Sequence, residues 1–258
     1  MRSIWTGTIG FGLVNIPIKL YSAMQGSELD LDMLDKKDLS NIRFKRVNES
    51  TGKEVAWENI VKGYKLDDRY VVLTDQDFEK ASPEKTKIIE IKEFVQDREI
   101  DGIYYDTPYW LEPEKSGVKA YILLLEALRK TGKVAFGSFV LRNKESLCII
   151  KPMGNALLLN KLRWAQEIRS PKDLSLPKGN SKPAEIKMAV ELINRLSGPF
   201  ELDKYKDTYT DELLKLIKAK AKGKVPARPT LRVVHSKKSA DLLSQLKASL
   251  DGKKKKAS

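Results

Sequence analysis

The sequence predicts a mainly β fold with some helix: a strand-rich body, then C-terminal helices, then a basic tail. Three observations carry this. Residues 3–21 alternate apolar and polar side chains in two runs separated by Gly12. Helical periodicity is persuasive only over about 117–130 and again from Pro183 onward. Residues 218–258 hold 13 Lys/Arg against two acids, Asp241 and Asp251.

In the first run Trp5, Gly7, Ile9 and Phe11 alternate with Ile4, Thr6 and Thr8. In the second, Ile16, Ile18 and Leu20 alternate with Pro17 and Lys19. Pro17 has no N–H to give a ladder, which points to an edge position or a bulge. The glycines of Gly7-Thr-Ile-Gly10-Phe-Gly12 have the wrong order for a dinucleotide fingerprint, and no helical pattern follows them. Residues 36–74 form a second β-like region. Ile42, Phe44 and Val47 lie among Arg43, Lys45 and Arg46, a turn at Ser50-Thr51-Gly52 leads to Glu54-Val55-Ala56-Trp57, and 70–73 is a short apolar strand. Residues 88–95 offer another strand.

The helix over about 117–130 has Val118, Tyr121, Ile122, Leu125 and Leu128 as its apolar stripe and Gly132 as its stop. Strand-like runs follow at 134–141 and 147–151. The apolar run at 156–162 fits a buried strand as well as a helix. Pro171, Pro177, Gly179 and Pro183 mark a linker. The helix from Pro183 to Leu196 carries Ile186, Val190, Ile193 and Leu196 on one face, and Gly198-Pro199 ends it. A second helix covers about 210–221, with Leu213, Leu216 and Ile217 as its stripe. Beyond it the chain is low-complexity, apart from a short amphipathic segment at 239–250 and the closing lysines 253–256.

The net charge is +13. Residues 218–258 contribute +11 of it and residues 1–217 only +2, so the excess sits on the tail of a nearly neutral body. Such a tail suits a polyanion, nucleic acid ahead of anionic membrane. A body that also binds DNA must use a local basic surface. Cys148 is the only cysteine, which excludes an intrachain disulfide and a CxxC zinc cluster. No stretch reaches the roughly 18 uninterrupted apolar residues of a membrane span, and the start lacks a secretory pattern. A soluble cytoplasmic protein is expected.

Catalytic chemistry is poorly supplied. His235 is the only histidine and lies in the tail, so one chain cannot build a His-based triad or a two-His zinc site. Thr51-Gly52-Lys53 imitates a phosphate loop, but Val47 stands at the leading glycine and Glu54 where Ser/Thr would hold magnesium. Asp67-Asp68 reads as a solvated turn. No enzyme activity and no cofactor are expected.

The opening Met1-Arg-Ser-Ile-Trp-Thr-Gly-Thr-Ile-Gly-Phe-Gly-Leu-Val-Asn-Ile-Pro-Ile-Lys-Leu-Tyr21 strongly resembles the start of bacterial Ku proteins. The resemblance runs on through Ile42-Arg-Phe-Lys-Arg-Val47, Ile60-Val-Lys-Gly-Tyr64, Tyr70-Val-Val-Leu-Thr-Asp75 and Ile103-Tyr-Tyr-Asp-Thr-Pro-Tyr109. It continues in Phe139-Val-Leu-Arg142, Leu162-Arg-Trp-Ala165 and Leu196-Ser-Gly-Pro-Phe200, in one register over about residues 1–220. Two departures stand out. Many relatives carry a Cys pair in the turn occupied here by residues 48–52, and a His pair where this chain has Asp32 and Asp35. Metal or redox roles at those positions are not carried over.

The resemblance implies a β-barrel core within residues 1–170 that projects a bridge at about 27–75. Two copies would close a ring around duplex DNA, gripping the sugar-phosphate backbone without base readout. A closed ring must load at a free end, so the partners implied are double-stranded DNA ends and a second copy of the chain. The DNA-binding candidates on the bridge are Lys36, Lys37, Arg43, Lys45, Arg46, Lys53 and Lys62. On a strand, Arg43 and Lys45 would share a face. Lys133 and Arg142, beside a barrel hairpin, are weaker candidates. Trp5 and Trp164 read as core. In the family the region after the barrel, here about 171–221, recruits a multidomain ATP-dependent DNA ligase, while 222–258 is the basic tail. The work would be non-homologous end joining, in a cytoplasmic, nucleoid-associated protein. Two other readings compete: a general DNA-coating protein driven by the tail, and an end-processing enzyme using a lysine amine on abasic sugars. Closed circular duplex separates the first from a ring, and borohydride trapping on abasic DNA exposes the second.

Overall fold

The computed structural model describes residues 1–26, 29–81, 87–224 and Leu246. They fall into two compact units, one of Met1–Gly26 with Asp30–Ser170, and a second of Leu29 and the described residues from Pro171 onward. The expected segment at 239–250 and most of the basic tail lie outside the described residues.

The elements of the first unit are β1 (Trp5–Phe11), β2 (Val14–Ser22), β3 (Lys62–Leu66), β4 (Arg69–Leu73), α1 (Asp75–Ala81), β5 (Ile88–Gln96), β6 (Tyr105–Pro113), α2 (Val118–Thr131), β7 (Lys133–Leu141), β8 (Lys144–Met153) and β9 (Ala156–Leu162). The second unit contains α3 (Pro183–Leu196) and α4 (Thr208–Ala221).

Seven strands close a barrel in the order β1-β2-β6-β9-β8-β7-β5, and β5 returns parallel to β1. Closure leaves no free edge. Every strand gives alternate residues to the interior. Ile9, Ile16, Ile18, Leu20, Ile89, Leu111, Phe139, Cys148, Ile150, Leu157 and Leu159 form one core cluster. Burial pushes the Cys148 thiol far up, so it behaves as a small apolar residue. The run at 156–162 is thus a strand, with Leu157 and Leu159 inside. Pro17 sits in a barrel strand just beyond Ile18, where the ladder to β6 begins, so its missing N–H disrupts no pairing with β6. At Gly137 the backbone of β5 comes so close that an added Cβ would lie 2.0 Å from the Glu90 carbonyl oxygen. The β5–β7 register shifts immediately beyond, between Ile91 and Glu93.

The register gives the barrel two distinct ends. β6 runs toward α2 and β7 starts from it, so α2 lies at one end. It packs Tyr121, Leu124, Leu125 and Leu128 into the core. The Tyr121 hydroxyl donates to the Leu111 carbonyl and accepts from the Leu157 N–H, each at 2.7 Å. Val118 and Ile122, expected in this stripe, are exposed, and Leu124 replaces them. Gly132 stops the helix at φ 65°. At the other end lie the N-terminus, the end of β2, the start of β5 and the β7–β8 hairpin. Arg142 and Asn143 turn that hairpin with φ of 52° and 68°, as a two-residue primed turn requires.

A smaller cluster, Val134, Ile149 and Leu162, lies on the outer sheet face. Residues 97–104 cross over it with Ile100 and Tyr104 packed against it. Trp5 is half-buried and meets Phe139 edge-on at 6.2 Å. Trp164 is half-buried too, rather than core.

Candidate nucleic-acid interface

Between Leu20 and Ile89 no described residue is buried. This stretch is an arm that leaves the barrel after β2 and returns before β5, both at the end opposite α2. Three turns organise it. In the first, Asp35 N–H donates to the Ser40 carbonyl and Ile42 N–H to the Met33 carbonyl, both at 2.8 Å. In the second, Asn48 N–H donates to the Lys53 carbonyl at 2.9 Å. The Asn48 side-chain oxygen takes the N–H groups of Ser50 and Thr51 at 3.0 Å, and Gly52 adopts φ 66°. The third is the β3–β4 hairpin.

The expected β region at 36–74 is therefore corrected. Only β3 and β4 are strands, whereas Leu34–Asn41 and Val47–Glu54 are single bridges. Residues 42–46 contain no strand, so strand periodicity does not set the relation of Arg43 to Lys45. The physical reason is the lack of a second layer. A lone ribbon cannot bury a face, and its ladders stay short.

The charge of the arm is segregated along its length. Residues 36–65 hold eight Lys/Arg and four Asp/Glu; 29–35 hold three acids and no base; 66–81 hold five acids and two bases. Turns occupy several of the acids. Asp35 accepts the Lys37 N–H at 2.8 Å. Asp38 accepts the backbone N–H and the hydroxyl of Ser40, which hold its carboxyl below the usual range. Asp77 caps α1 through the Thr74 hydroxyl and N–H, with the same effect on its carboxyl.

The seven bridge candidates fall into two groups. Lys36 and Lys37 at the first turn, Arg43, and Lys53 at the second turn are exposed and form no ion pair among the described residues. The others are engaged within the arm. Lys45 pairs with Glu54 at 2.6 Å. The Arg46 guanidinium lies 4.4 Å from the Trp57 ring centroid, and Lys62 Nζ lies 4.8 Å from that of Phe78. Lys65 and Arg69, exposed on the β3–β4 hairpin, extend the set.

Lys133 and Arg142 are not neighbours. Lys133 starts β7 at the α2 end and Arg142 follows its last residue at the arm end, so the strand separates them by about 30 Å. Arg142 therefore shares an end with the arm, and Lys133 does not. Sequence reasoning missed a further group at that end: Lys144, Lys161 and Arg163. Strand alternation could have found two of them. Lys144 is in register with inward-facing Cys148, and Lys161 with inward-facing Leu159. Asp106 holds Lys161 at 3.0 Å and Arg163 at 3.4 Å, and Arg163 also donates to the Tyr105 carbonyl.

In the second unit neither helix has a buried residue. Pro183 starts α3, and Glu185 reaches back to accept the Lys182 N–H at 3.0 Å. Asp207 caps α4 by accepting from Tyr209 and Thr210. The expected stripe Ile186, Val190, Ile193, Leu196 is the exposed side of α3, while Met188, Ala189 and Leu192 are half-buried.

The arm is thus a long excursion with a positively charged centre, rooted at one end of a closed β-barrel. The model of the Ku70/Ku80 beta-barrel domain matches residues 10–189. A protein of Anaeromyxobacter named "Non-homologous end joining protein Ku" is 43% identical over 88% of this chain and 78% of its own length. Proteins of the same name from Archaeoglobus fulgidus and Bacillus subtilis are 39% and 38% identical. These alignments cover 98% and 97% of this chain, and 100% and 82% of the relatives. Among solved structures, the SPOC domain of human PHD-finger protein 3 aligns with 62% of this chain and 95% of its own at 11% identity, with a TM-score of 0.31. The chain belongs to the Ku family.

Proposed function

We propose that this protein binds double-stranded DNA ends in non-homologous end joining, as a homodimer whose two arms close a ring around the duplex. The observation that carries the ring is the arm itself. More than fifty described residues leave a well-packed barrel without burying one side chain among them, yet they present Phe44 at 81% exposure, Trp57 and Tyr70 at 71% and Leu39 at 69%. Apolar area of this extent is a surface for association. A second arm is the economical cover, since an isologous pairing buries the same groups twice. The positive centre of the arm then faces the sugar-phosphate backbone, which fixes position and carries no sequence information.

The same reading assigns the region 171–221 to the recruitment of an ATP-dependent DNA ligase. Ile186, Val190, Ile193 and Leu196 form an exposed stripe of the spacing that a groove on a partner takes up. The lysine-rich tail beyond residue 222 supplies salt-screened retention on DNA instead.

The test of the ring is topological. Protein truncated after Lys222 should bind linear duplex and ignore a relaxed closed circle of the same sequence at moderate salt. Equal affinity for circle and line would replace the ring with a coating protein. Ligation scored on the same DNA tests recruitment. Deleting 223–258 should leave ligase stimulation intact at low salt, and deleting from 183 should abolish it with end binding retained. Loss of stimulation on removing 223–258 alone, at undiminished DNA binding, would move the recruiting element into the tail.

A further inference from the structure

Strand alternation fills the barrel with apolar side chains until it reaches the arm end, where the inward positions change character. Along β8 the inward residues run Ile150, Cys148, Ser146, Lys144, and along β9 they run Leu157, Leu159, Lys161. A barrel mouth that only needed closing would continue with apolar groups, because a cation at an inward position costs solvation. Here the mouth is a recess of about 180 Å³, lined by three cations, Lys144, Lys161 and Arg163, two carboxylates, Asp106 and Glu167, and Ser146, Leu162 and Trp164.

The charges do not cancel inside it. One carboxylate, Asp106, is shared by Lys161 and Arg163. Glu167 accepts the Trp164 backbone N–H at 2.8 Å. Lys144 forms no ion pair among the described residues. Ser146 also lines the recess, and its hydroxyl forms no hydrogen bond among the described residues. A hydroxyl open to a recess that ammonium groups share is a free donor for an anion.

We propose that this mouth binds a phosphomonoester, and that its source is the terminal phosphate of a DNA strand. The shape selects the ester. Phosphates inside a regular duplex lie on a convex surface and cannot enter a barrel mouth, whereas the phosphate on a strand terminus can. The half-buried Trp164 offers a flat wall for the attached sugar or base. The arm is rooted at the same end, so DNA held by the arm has its terminus within reach. The choice of DNA as source rests on the end-binding reading; the phosphate site does not.

The experiment uses the full chain and two linear duplexes with a short 5′ overhang, one phosphorylated and one with a 5′-hydroxyl. A deoxynucleoside 5′-monophosphate and its nucleoside are titrated separately by calorimetry. The phosphorylated duplex should bind at least about tenfold more tightly, the scale of one or two hydrogen bonds to a charged group. Ser146→Ala and Lys144→Gln should each erase that preference, so that the phosphorylated and the hydroxyl duplex bind alike. Lys144 is exposed, so K144Q keeps the test valid if S146A unsettles the barrel. If the two duplexes bind alike but the monophosphate binds and K144Q abolishes it, the phosphate site stands with a free nucleotide as its source. If duplex ends are not bound at all, the end-binding reading fails, and the monophosphate titration alone decides the site. Indifference to phosphate in both the DNA and nucleotide arms overturns the proposal.

Discussion

The barrel and the arm both carry many apolar residues but treat them in opposite ways. In the barrel, Ile9, Ile16, Ile18, Leu20, Ile89, Leu157 and Leu159 are fully buried within one chain. In the arm, Leu39, Phe44, Trp57 and Tyr70 stand in solvent, and the backbone is held by turns and one two-stranded ribbon. The difference teaches that the barrel completes a core within one chain, whereas the described residues of the arm do not; on the reading proposed above, association would supply the arm's packing. Its internal contacts fit this. The Lys45–Glu54 pair and the Arg46–Trp57 stack fix local shape without making a core.

The sharpest test of the contrast is to truncate one apolar side chain in each region. Leu159→Ala should destabilise the barrel by about 2–5 kcal/mol, read by urea unfolding and independent of protein concentration. Tyr70→Ala with Val72→Ala should leave barrel unfolding in place. By sedimentation it should weaken self-association by about tenfold or more for each side chain. Concentration-independent destabilisation by the arm variant would mean that the arm belongs to the barrel's folding unit.

A smaller effect is expected from charge. Lys36→Glu, Lys37→Glu and Lys53→Glu together change turn positions that make no ion pair among the described residues. DNA affinity should fall with the dimer intact, and the log–log salt slope should shrink by about 0.9 for each lost phosphate contact. Reversing Arg43, Lys45 and Arg46 is a less clean experiment, because a glutamate at 45 would face Glu54 and one at 46 would lose the Trp57 ring. An unchanged slope in the Lys36, Lys37, Lys53 variant would place the DNA away from both turns.

The legible parts of this fold were those where one chain buries one face. Alternation located β1 and β2, strand-like runs marked β5, β7 and β8, and helical periodicity found α2 with its Gly132 stop, while the apolar run that forms β9 stayed open between strand and helix. The arm was misread at 42–46, because alternation reports a buried face and the arm has none within the chain. In α3 the stripe was found, but the side it occupies was not, since a helix with two apolar flanks does not announce which one solvent takes. The mouth of the barrel was legible in principle: Lys144 and Lys161 share register with Cys148 and Leu159. Reading it required knowing that the two strands pair and where the barrel ends, and no local pattern carries that.

The smallest expected effect concerns how residues 97–104 are fastened over the outer cluster of the barrel. Asp97 accepts the Tyr105 hydroxyl at 2.6 Å and pairs with Lys151 at 3.2 Å. Lys151 Nζ also lies 5.0 Å from the Tyr105 ring centroid. Partial burial pushes the Asp97 carboxyl up, but the Tyr105 hydrogen bond and then Lys151 outweigh it, so its pKa lies below the ordinary value. Burial, then the hydrogen bond to Asp97, raises the Tyr105 phenol in turn. For an acid whose folded pKa is depressed, the stabilisation is present above the unfolded value and is lost as pH falls through the folded one. The pair is partly solvent-accessible, so screening keeps its worth to about 1 kcal/mol or less. Asp97→Asn should therefore lower barrel stability slightly at neutral pH, and the deficit should close as the pH falls through the acidic range and the wild-type carboxyl takes up its proton. Hydrogen exchange should register the change first at Ile100 and Tyr104, which the latch holds against Val134, Ile149 and Leu162. A deficit that stays constant down to strongly acidic pH would assign the role of Asp97 to packing instead of charge.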